Sequence, residues 1–224
     1  MGCCDIGIPC IDFWDDLVMS SAPIEVRKDF KILEQFVPKG SKIIDLGCGK
    51  GDLLEHLAQT KQTKGLGIDL KSEHVSACLE KGLSAIQGDG EVELVNYPSK
   101  SFDLAILSQT LQALNKPHET IDQMLRVADK ALVSFPNFAY WKFRSQLLFK
   151  GCMPVTQSLP HQWYDTPNIH FCTLRDFVNF CGARNINIEQ SKYITSNGDI
   201  GNVQQHVTRA NLFGTQAVFL ISSQ

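Results

Sequence analysis

The stretch Asp45-Leu46-Gly47-Cys48-Gly49-Lys50-Gly51 decides the fold of this chain. It follows an apolar run at residues 42–46 and precedes a helical apolar pattern that begins at Leu53. Closely spaced glycines let the backbone turn tightly and let a ligand approach it, and the first turn of the following helix offers N–H groups without helical partners. The stretch therefore predicts a strand, a ligand-binding turn and a helix in succession.

Short apolar runs alternate with helical patterns on both sides of this turn. Strands are predicted at residues 42–46, 65–70, 83–87, 102–108 and 131–135. The helical patterns include residues 26–37, 115–128 and 141–149, and a helix with Ser72 as its cap and Gly82 just beyond its end. This alternation is typical of a parallel sheet that is covered by helices on both faces.

The end of the chain breaks this pattern. Two further apolar runs, at residues 186–194 and 216–222, have no long helical pattern between them. We therefore expect them to pair antiparallel at the sheet edge. The predicted fold class is α/β and Rossmann-like: a mostly parallel sheet with an antiparallel edge pair, and an aromatic-rich insertion at about residues 136–172, before the last two strands.

The composition limits the classes of function. The chain has 224 residues and a formal net charge of −3, which predicts no broad basic face and no nucleic-acid partner. It contains no run of about 18 apolar residues, so we expect no membrane-spanning helix. Its eight cysteines are irregularly spaced and no signal peptide precedes them, which favours a reducing, cytoplasmic setting and no metal site. Residues 1–23 lack periodicity and are predicted to be an extension of one domain at residues 24–224.

Two kinds of nucleotide ligand compete for the glycine turn. A dinucleotide site uses the spacing GxGxxG, with a pyrophosphate at the helix N-terminus, whereas this turn has the shorter spacing GxGxG. The Asp45 carboxylate, two residues before the first glycine, would repel a pyrophosphate and attract a cation. S-adenosylmethionine carries an ammonium and a sulfonium and has no phosphate. The turn therefore predicts S-adenosylmethionine as the cofactor and disfavours an oxidoreductase that uses NAD.

Two more carboxylates follow predicted strands. Asp69 ends the second strand, where a carboxylate accepts hydrogen bonds from ribose hydroxyls in dinucleotide folds. Asp89 follows the third strand, where we expect it to meet the adenine amino group. The alternative is that each carboxylate only caps the next helix. The predicted cofactor-binding set comprises Asp45, Gly47, Cys48, Gly49, Gly51, Asp69, Leu70, Asp89 and Ser108.

Candidates for a methyl-acceptor pocket lie after the fourth and fifth strands and in the aromatic segment. His170 is the candidate general base, and a hydrogen-bonded structural histidine is the alternative. The aromatic side chains of the segment predict either a lid that excludes water from the site, a protein interface or ordinary core packing. The predicted acceptor-pocket set comprises Gln109, Asn137, Trp163, Tyr164 and Asp165.

The sequence resembles a known family at these positions. Residues 44–51 look like motif I of class I methyltransferases, and the chain as a whole resembles the MetW family of methionine biosynthesis proteins. The specific stretches are 107–112, 133–138 and 162–170, and the resemblance runs from about Ile24 to Ile221. It implies a cytosolic bacterial protein of the methionine pathway that is associated with homoserine O-acyltransferase.

Two functions are compatible with these features. The first is a methyltransferase whose acceptor is unknown. The second is a non-catalytic module that binds S-adenosylmethionine, or its demethylated product, and regulates or assembles with the acyltransferase. A fold alone does not decide between them.

Overall fold

The computed structural model describes residues 29–156, 159 and 161–224, and a single sheet lies at its centre. The strands of this part of the chain are β1 Lys42–Leu46, β2 Lys64–Asp69, β3 Ser84–Gln87, β4 Phe102–Ser108, β5 Ala128–Pro136, β6 Ile186–Thr195, β7 Ile200–Asn202 and β8 Gly214–Ser223. They form an eight-stranded sheet in the order β3-β2-β1-β4-β5-β8-β6-β7. The predicted extension at residues 1–23, and Val26 of the first predicted helix, lie outside the described residues.

The first five strands of the sheet are parallel. β1 pairs with β2 and β4, β2 also pairs with β3, and β4 pairs with β5. β8 then runs antiparallel to β5, and β6 runs antiparallel to β8. The predicted α/β fold with a parallel sheet and antiparallel edge strands is therefore confirmed. A third antiparallel strand, β7, pairs with β6 and was not predicted.

Helices cover both faces of this sheet. They are α1 Phe30–Phe36, α2 Asp52–Lys61, α3 Ser72–Glu80, α4 Gly90–Glu93, α5 Pro117–Val127, α6 Trp141–Lys150, α7 Leu174–Ala183 and α8 Val207–Phe213. Successive side chains of a strand point to opposite faces. Ile44 and Leu46 of β1 accordingly pack in one apolar cluster with α5 and α7, whereas Ile43 packs in another with α1 and α2.

Several predicted boundaries differ from those of the structure. Ser72 is the first residue of α3 rather than its cap, since Lys71 occupies the N-cap position and no side chain caps this helix. Gly82 lies beyond the end of α3 with a φ of +73°, as predicted for a terminal glycine. Between the insertion and β8, the structure adds α7, β7 and α8. The last two of these are too short to produce a periodic pattern.

The inserted segment is only partly packed against the rest of the protein. Tyr140, Phe143 and Leu159 form a small apolar cluster with Phe138, separate from the two main clusters. Most of the segment's other large apolar side chains are exposed. Among the residues that the structure describes, no helix has the length and apolar character needed to cross a membrane.

Candidate functional site

The glycine turn lies between β1 and α2, against the ends of β2 and β4. Gly47, Gly49 and Gly51 all have positive φ angles, from 56° to 76°. A side chain at Gly47 would come within 2.7 Å of the Thr110 hydroxyl, whereas one at Gly49 would meet nothing within 4 Å. The turn therefore packs closely on the residues after β4 at its first glycine and has open space beside its second.

The carboxylate of Asp69, at the end of β2, holds this turn. Its Oδ2 accepts a hydrogen bond of 2.9 Å from the backbone N–H of Gly49. Its Oδ1 accepts one of 3.0 Å from the backbone N–H of Lys71 and lies 2.9 Å from Nδ1 of His74. An ionised carboxylate has about four lone-pair positions, so one remains for a ligand. A second ligand hydroxyl would have to displace the His74 ring.

Asp45 lies below the turn as the second-to-last residue of β1, and its side chain is buried. Burial raises the pKa of the Cys48 thiol well above its usual range, and the nearby Asp45 carboxylate and Cys78 thiol raise it further. Cys78 of α3 donates a hydrogen bond of 3.3 Å to the carbonyl of Gly49. A protonated thiol is a poor nucleophile, so Cys48 serves as a packed neutral side chain of the turn.

Asp89 caps a helix and also lies after β3, close to the end of β2. Its Oδ1 accepts a 2.9 Å hydrogen bond from the backbone N–H of Glu91, at the start of α4. The capping alternative is thus present for this carboxylate. The backbone N–H of Gly88 donates to the backbone carbonyl of Asp69 at 3.0 Å, so the Asp89 turn lies beside the end of β2.

Glu91 is a structural residue of this region that sequence reasoning missed. It accepts hydrogen bonds from the backbone N–H groups of Lys116 at 2.6 Å and Asn115 at 3.0 Å, which precede α5. Burial acts to raise the pKa of Glu91, but these hydrogen bonds and those from the Asn115 and Thr120 side chains outweigh it and lower the pKa overall. Through these hydrogen bonds the Glu91 carboxylate links α4 to the start of α5.

Neutral side chains gather at the carboxyl ends of β4 and β5. Ser108 and Ser134 are buried, and their hydroxyls are 3.3 Å apart. Gln109 has a φ of +57° and donates its backbone N–H to the Ser134 carbonyl at 2.9 Å. Gln112 belongs to the family stretch 107–112 but was not among the predicted site residues. Its side-chain amide donates to the carbonyl of Gln109 at 2.7 Å. Its amide oxygen is buried and has no hydrogen-bond partner among the described residues.

His170 lies on the loop that crosses the end of β4. Its backbone N–H, like that of Ile169, donates to the carbonyl of Gln112, at 3.0 and 2.8 Å. Its ring is exposed, with Nε2 3.4 Å from the carbonyl oxygen of Asn115. The ring also lines a mainly apolar cavity of about 310 Å³ between α5 and α7. His170 is thus held beside the turn that follows β4, and its role as a base stays a prediction.

The other predicted acceptor residues differ widely in burial. Asn137 is fully buried at the end of β5, and all four of its hydrogen-bonding positions are used by the backbone of residues 139, 174, 211 and 214. The side chain of Asn137 is thus bonded to the backbone, and its place in a substrate pocket stays a prediction. Trp163 and Tyr164 have 74% and 72% of their surface exposed, so neither packs in a core. Asp165 beside them is also exposed.

The residues of the site fit a nucleoside better than a pyrophosphate. Gly49 offers backbone beside open space, and Asp69 offers a carboxylate acceptor next to it. Leu70 follows with 67% of its surface exposed, which is the kind of apolar surface on which a base can rest. The N–H of Gly49 already donates to Asp69, so it is not free to bind a phosphate. The polar groups near the turn are thus arranged around a carboxylate rather than an anion-binding pocket.

Comparisons with solved structures agree with the α/β fold described above. The chain is similar to an S-adenosylmethionine-dependent methyltransferase from Thermotoga maritima described as a possible histamine N-methyltransferase, with a TM-score of 0.64, 12% identity and 88% of each chain covered. It is also similar to an S-adenosylmethionine-dependent methyltransferase from Mesorhizobium loti, with a TM-score of 0.63, 16% identity and coverage of 89% of this chain and 99% of that one. At these identities the likeness establishes the fold alone.

Sequence comparisons are more specific. The chain is 31% identical over 179 residues to the bifunctional methionine biosynthesis protein MetXA/MetW of Rhodopirellula baltica, an alignment that covers 76% of this chain but only 29% of that protein. The chain spans a quarter to a third of the length of the curated relatives that it matches. The family model for the methionine biosynthesis protein MetW matches residues 27–221. Because that match covers nearly all of the described residues, the chain belongs to the MetW family of methionine biosynthesis proteins.

Proposed function

We propose that this chain binds S-adenosylmethionine at the glycine turn and acts in methionine biosynthesis together with homoserine O-acyltransferase. The observation that carries the cofactor assignment is the hydrogen bond between the Gly49 backbone and the Asp69 carboxylate, next to open space at Gly49. In this arrangement the open backbone of Gly49 lies next to a carboxylate that can accept hydrogen bonds from ribose hydroxyls. The methyltransferase fold of the solved relatives supports the same ligand.

The charges around the turn support this ligand over NAD. Asp45 is buried beneath the turn, and Asp69 and Asp89 end or follow the neighbouring strands. Opposite unit charges about 4 Å apart attract by about 4 kcal/mol at an effective dielectric constant of about 20. Carboxylates at this edge therefore favour a ligand with an ammonium and a sulfonium and oppose a pyrophosphate.

If the chain is an enzyme, its residues act mainly by positioning. Bound S-adenosylmethionine supplies an electrophilic methyl group, and orientation alone can lower the barrier of such a displacement by roughly 7–11 kcal/mol. The side chains at the ends of β4 and β5 (Ser108, Gln109, Gln112 and Ser134) are all neutral amides and hydroxyls. They can hold an acceptor through hydrogen bonds but cannot remove a proton near neutral pH. An acceptor that needs no deprotonation in the reaction, such as a thiolate or a carboxylate, suits them best.

The same neutral set favours the second candidate, a non-catalytic accessory. A module that binds S-adenosylmethionine and adjusts the acyltransferase needs the glycine turn and Asp69 but no general base. The Rhodopirellula baltica relative carries a MetXA part and a MetW part in one chain. Such a fusion supports an association between the two activities, and the remaining part of that protein has room for the acyltransferase.

Calorimetry and activity assays together test this proposal. S-adenosylmethionine should bind to the purified chain with a Kd at least ten times lower than that for NAD. Mixing the chain with the homoserine O-acyltransferase of the same organism should then change acyltransferase activity, while a labelled methyl group reports any transfer. Binding of NAD without binding of S-adenosylmethionine would overturn the cofactor assignment. Acyltransferase activity that did not change at any concentration of this chain would overturn the proposed partnership.

A further inference from the structure

Within the part of the chain that the structure describes, the exposed apolar residues are concentrated in one segment. Sixteen large hydrophobic side chains are strongly exposed in the described part of the chain, and ten of these fall within residues 141–171. Single exposed hydrophobic residues are ordinary, but concentrated apolar surface marks sites of interaction. Residues 141–171 are therefore the strongest candidate for an interaction surface among the described residues.

The densest part of the segment is the end of α6 and the turn after it. Leu148 and Phe149 are 77% and 81% exposed, and Leu147, Met153 and Val155 are also exposed. The amide of Gln146 donates to the carbonyl of Met153 at 3.4 Å, which brings the chain after α6 back beside the helix. We call this group of exposed residues, Leu147, Leu148, Phe149, Met153 and Val155, the α6 patch. Of the residues of α6, only Phe143 is buried.

The α6 patch lies in a basic stretch of the sequence. No Asp or Glu occurs between Asp129 and Asp165, whereas Lys142, Arg144 and Lys150 all lie on α6. The whole chain has a net charge of −3, so the positive charge of α6 opposes that of the remainder. A complementary surface would be apolar at its centre and carry carboxylates around its rim.

We infer that the α6 patch is the surface that docks on the acyltransferase, in an apolar depression rimmed by carboxylates. This inference rests on the proposed function. The relative from Rhodopirellula baltica supports a protein occupant, because there a MetW part shares one chain with a MetXA part, and the region aligned with this protein is 29% of that chain. A permanent neighbour within one chain would cover apolar surface of the kind that Leu148 and Phe149 expose here. Separate chains must form the same contact by association.

Sedimentation or calorimetry with the purified acyltransferase tests the inference. The double variant Leu148→Ser/Phe149→Ser of the full chain should bind the acyltransferase at least ten times more weakly than the wild type, as expected when central anchors of an interface are removed. Leu79→Ser is the matched control, since Leu79 is 56% exposed on α3, remote in sequence from the patch. It should leave the affinity unchanged. Lys150→Glu should weaken binding more at low salt than at high salt.

The outcomes separate failure of this inference from failure of the proposed function. If the wild-type chain does not bind the acyltransferase, the proposed partnership fails. If the wild type binds and the double variant binds equally well, the partnership stands and the α6 patch is the wrong surface. Loss of self-association, or of binding to vesicles that contain phosphatidylglycerol, with unchanged acyltransferase affinity would assign the patch to a second copy or to a membrane instead. Binding of S-adenosylmethionine should remain unchanged in every variant and serves as the measure of correct folding.

Discussion

The backbone N–H of Gly49 donates a 2.9 Å hydrogen bond to Oδ2 of Asp69, and this contact joins two parts of the site that lie 20 residues apart in sequence. The glycine turn and the carboxylate at the end of β2 are therefore fixed relative to each other by a hydrogen bond within the protein. A site that is ordered before its ligand arrives loses less conformational entropy on binding. Replacing Asp69 should thus affect both the ligand contact and the shape of the turn.

Asp69→Ala should weaken binding of S-adenosylmethionine by about 1.5–3 kcal/mol, the range for hydrogen bonds to a charged group. That range corresponds to a Kd about 10 to 150 times higher. The matched control is His74→Ala, which removes the ring that lies 2.9 Å from Oδ1 of the same carboxylate. Because the ring occupies the position that a second ribose hydroxyl would need in the proposed complex, its removal should leave the affinity equal or increase it.

Calorimetry on folded variants measures both effects. Near-ultraviolet circular dichroism confirms that each variant keeps its packing. Equal affinity in wild type and Asp69→Ala would show that this carboxylate does not contact the ligand. Weaker binding in His74→Ala would show that the histidine is part of the ligand site rather than a competitor for it.

Two glycines with similar backbone angles separate backbone strain from steric conflict. Gly47 and Gly40 have φ values of +70° and +75°, so an alanine at either position costs about 1–2 kcal/mol of backbone energy. A side chain at Gly40 would meet nothing within 4 Å, whereas one at Gly47 would collide with Thr110 at 2.7–2.8 Å. Gly47→Ala should therefore lower the Tm more than Gly40→Ala does. Only Gly47→Ala should weaken binding of S-adenosylmethionine.

Urea denaturation and calorimetry check this pair. At the size of this chain, each kcal/mol corresponds to about 2–4 °C in Tm. Equal losses of stability would mean that the Thr110 side chain moves aside without cost. Equal losses of ligand affinity would mean that the glycine turn is not the binding site.

The sequence was sufficient to predict the central strands. It was not sufficient to predict all the helices and strands of the final third of the chain. β1 and β4 have the predicted limits because their runs are apolar, buried on both faces and bounded by turn residues. The three-residue β7 and seven-residue α8 are too short for a period to emerge. The ten-residue α7 was predictable, since Thr173 and Asp176 form a capping box immediately before its apolar face.

The sequence predicts the positions of those candidate site residues that lie at the ends of parallel strands. The position of Asp69 beside the glycine turn follows from the pairing of two parallel strands. The role of Asn137 does not, because its amide partners, the carbonyls of Asn211 and Gly214, are 74 and 77 residues away in sequence. Glu91 likewise bonds to residues that lie 24 to 29 positions further along the chain. Such long-range hydrogen bonds leave no local pattern.

Asn137 offers a direct test of a structural role against a substrate-binding role. Its amide donates at 2.9 and 2.8 Å, and its oxygen accepts from the backbone N–H groups of Ala139 at 3.1 Å and Leu174 at 3.4 Å. Leaving buried polar groups without partners costs about 1–3 kcal/mol each. Asn137→Ala should therefore lower the free energy of unfolding by at least ~3 kcal/mol.

The control for Asn137 is an asparagine on the same sheet whose side chain reaches solvent. Asn187 of β6 is exposed and makes one side-chain hydrogen bond of 3.5 Å, to Ser222. Its replacement by alanine should change the free energy of unfolding by less than about 0.5 kcal/mol. If Asn137→Ala proved equally mild while binding of a methyl acceptor was lost, the residue would belong to the substrate pocket after all.

Buried thiols predict a loss of stability in alkaline solution. Burial raises the pKa of Cys181 from 9.0 to about 12, and burial with the nearby Asp176 carboxylate does the same for Cys172. Above pH 9 the unfolded chain releases these protons while the folded chain keeps them. The unfolded state then binds fewer protons, so stability falls as pH rises, by about 1.4 kcal/mol per pH unit for each thiol. The effect is absent below pH 9 and ends near pH 12.

A variant isolates this contribution from those of lysine and tyrosine. Cys181→Ala should be less stable than the wild type by a constant amount up to about pH 8.5, because a buried side chain is lost and the thiol is still protonated in both states. Above pH 9 the difference should shrink by about 1.4 kcal/mol per pH unit, since the variant has one fewer thiol to deprotonate on unfolding. Cys152→Ser, at an exposed position, is the control. Urea denaturation from pH 7 to 10.5 that gave parallel curves for Cys181→Ala and wild type would mean that the Cys181 thiol ionises as readily in the folded protein as in the unfolded chain.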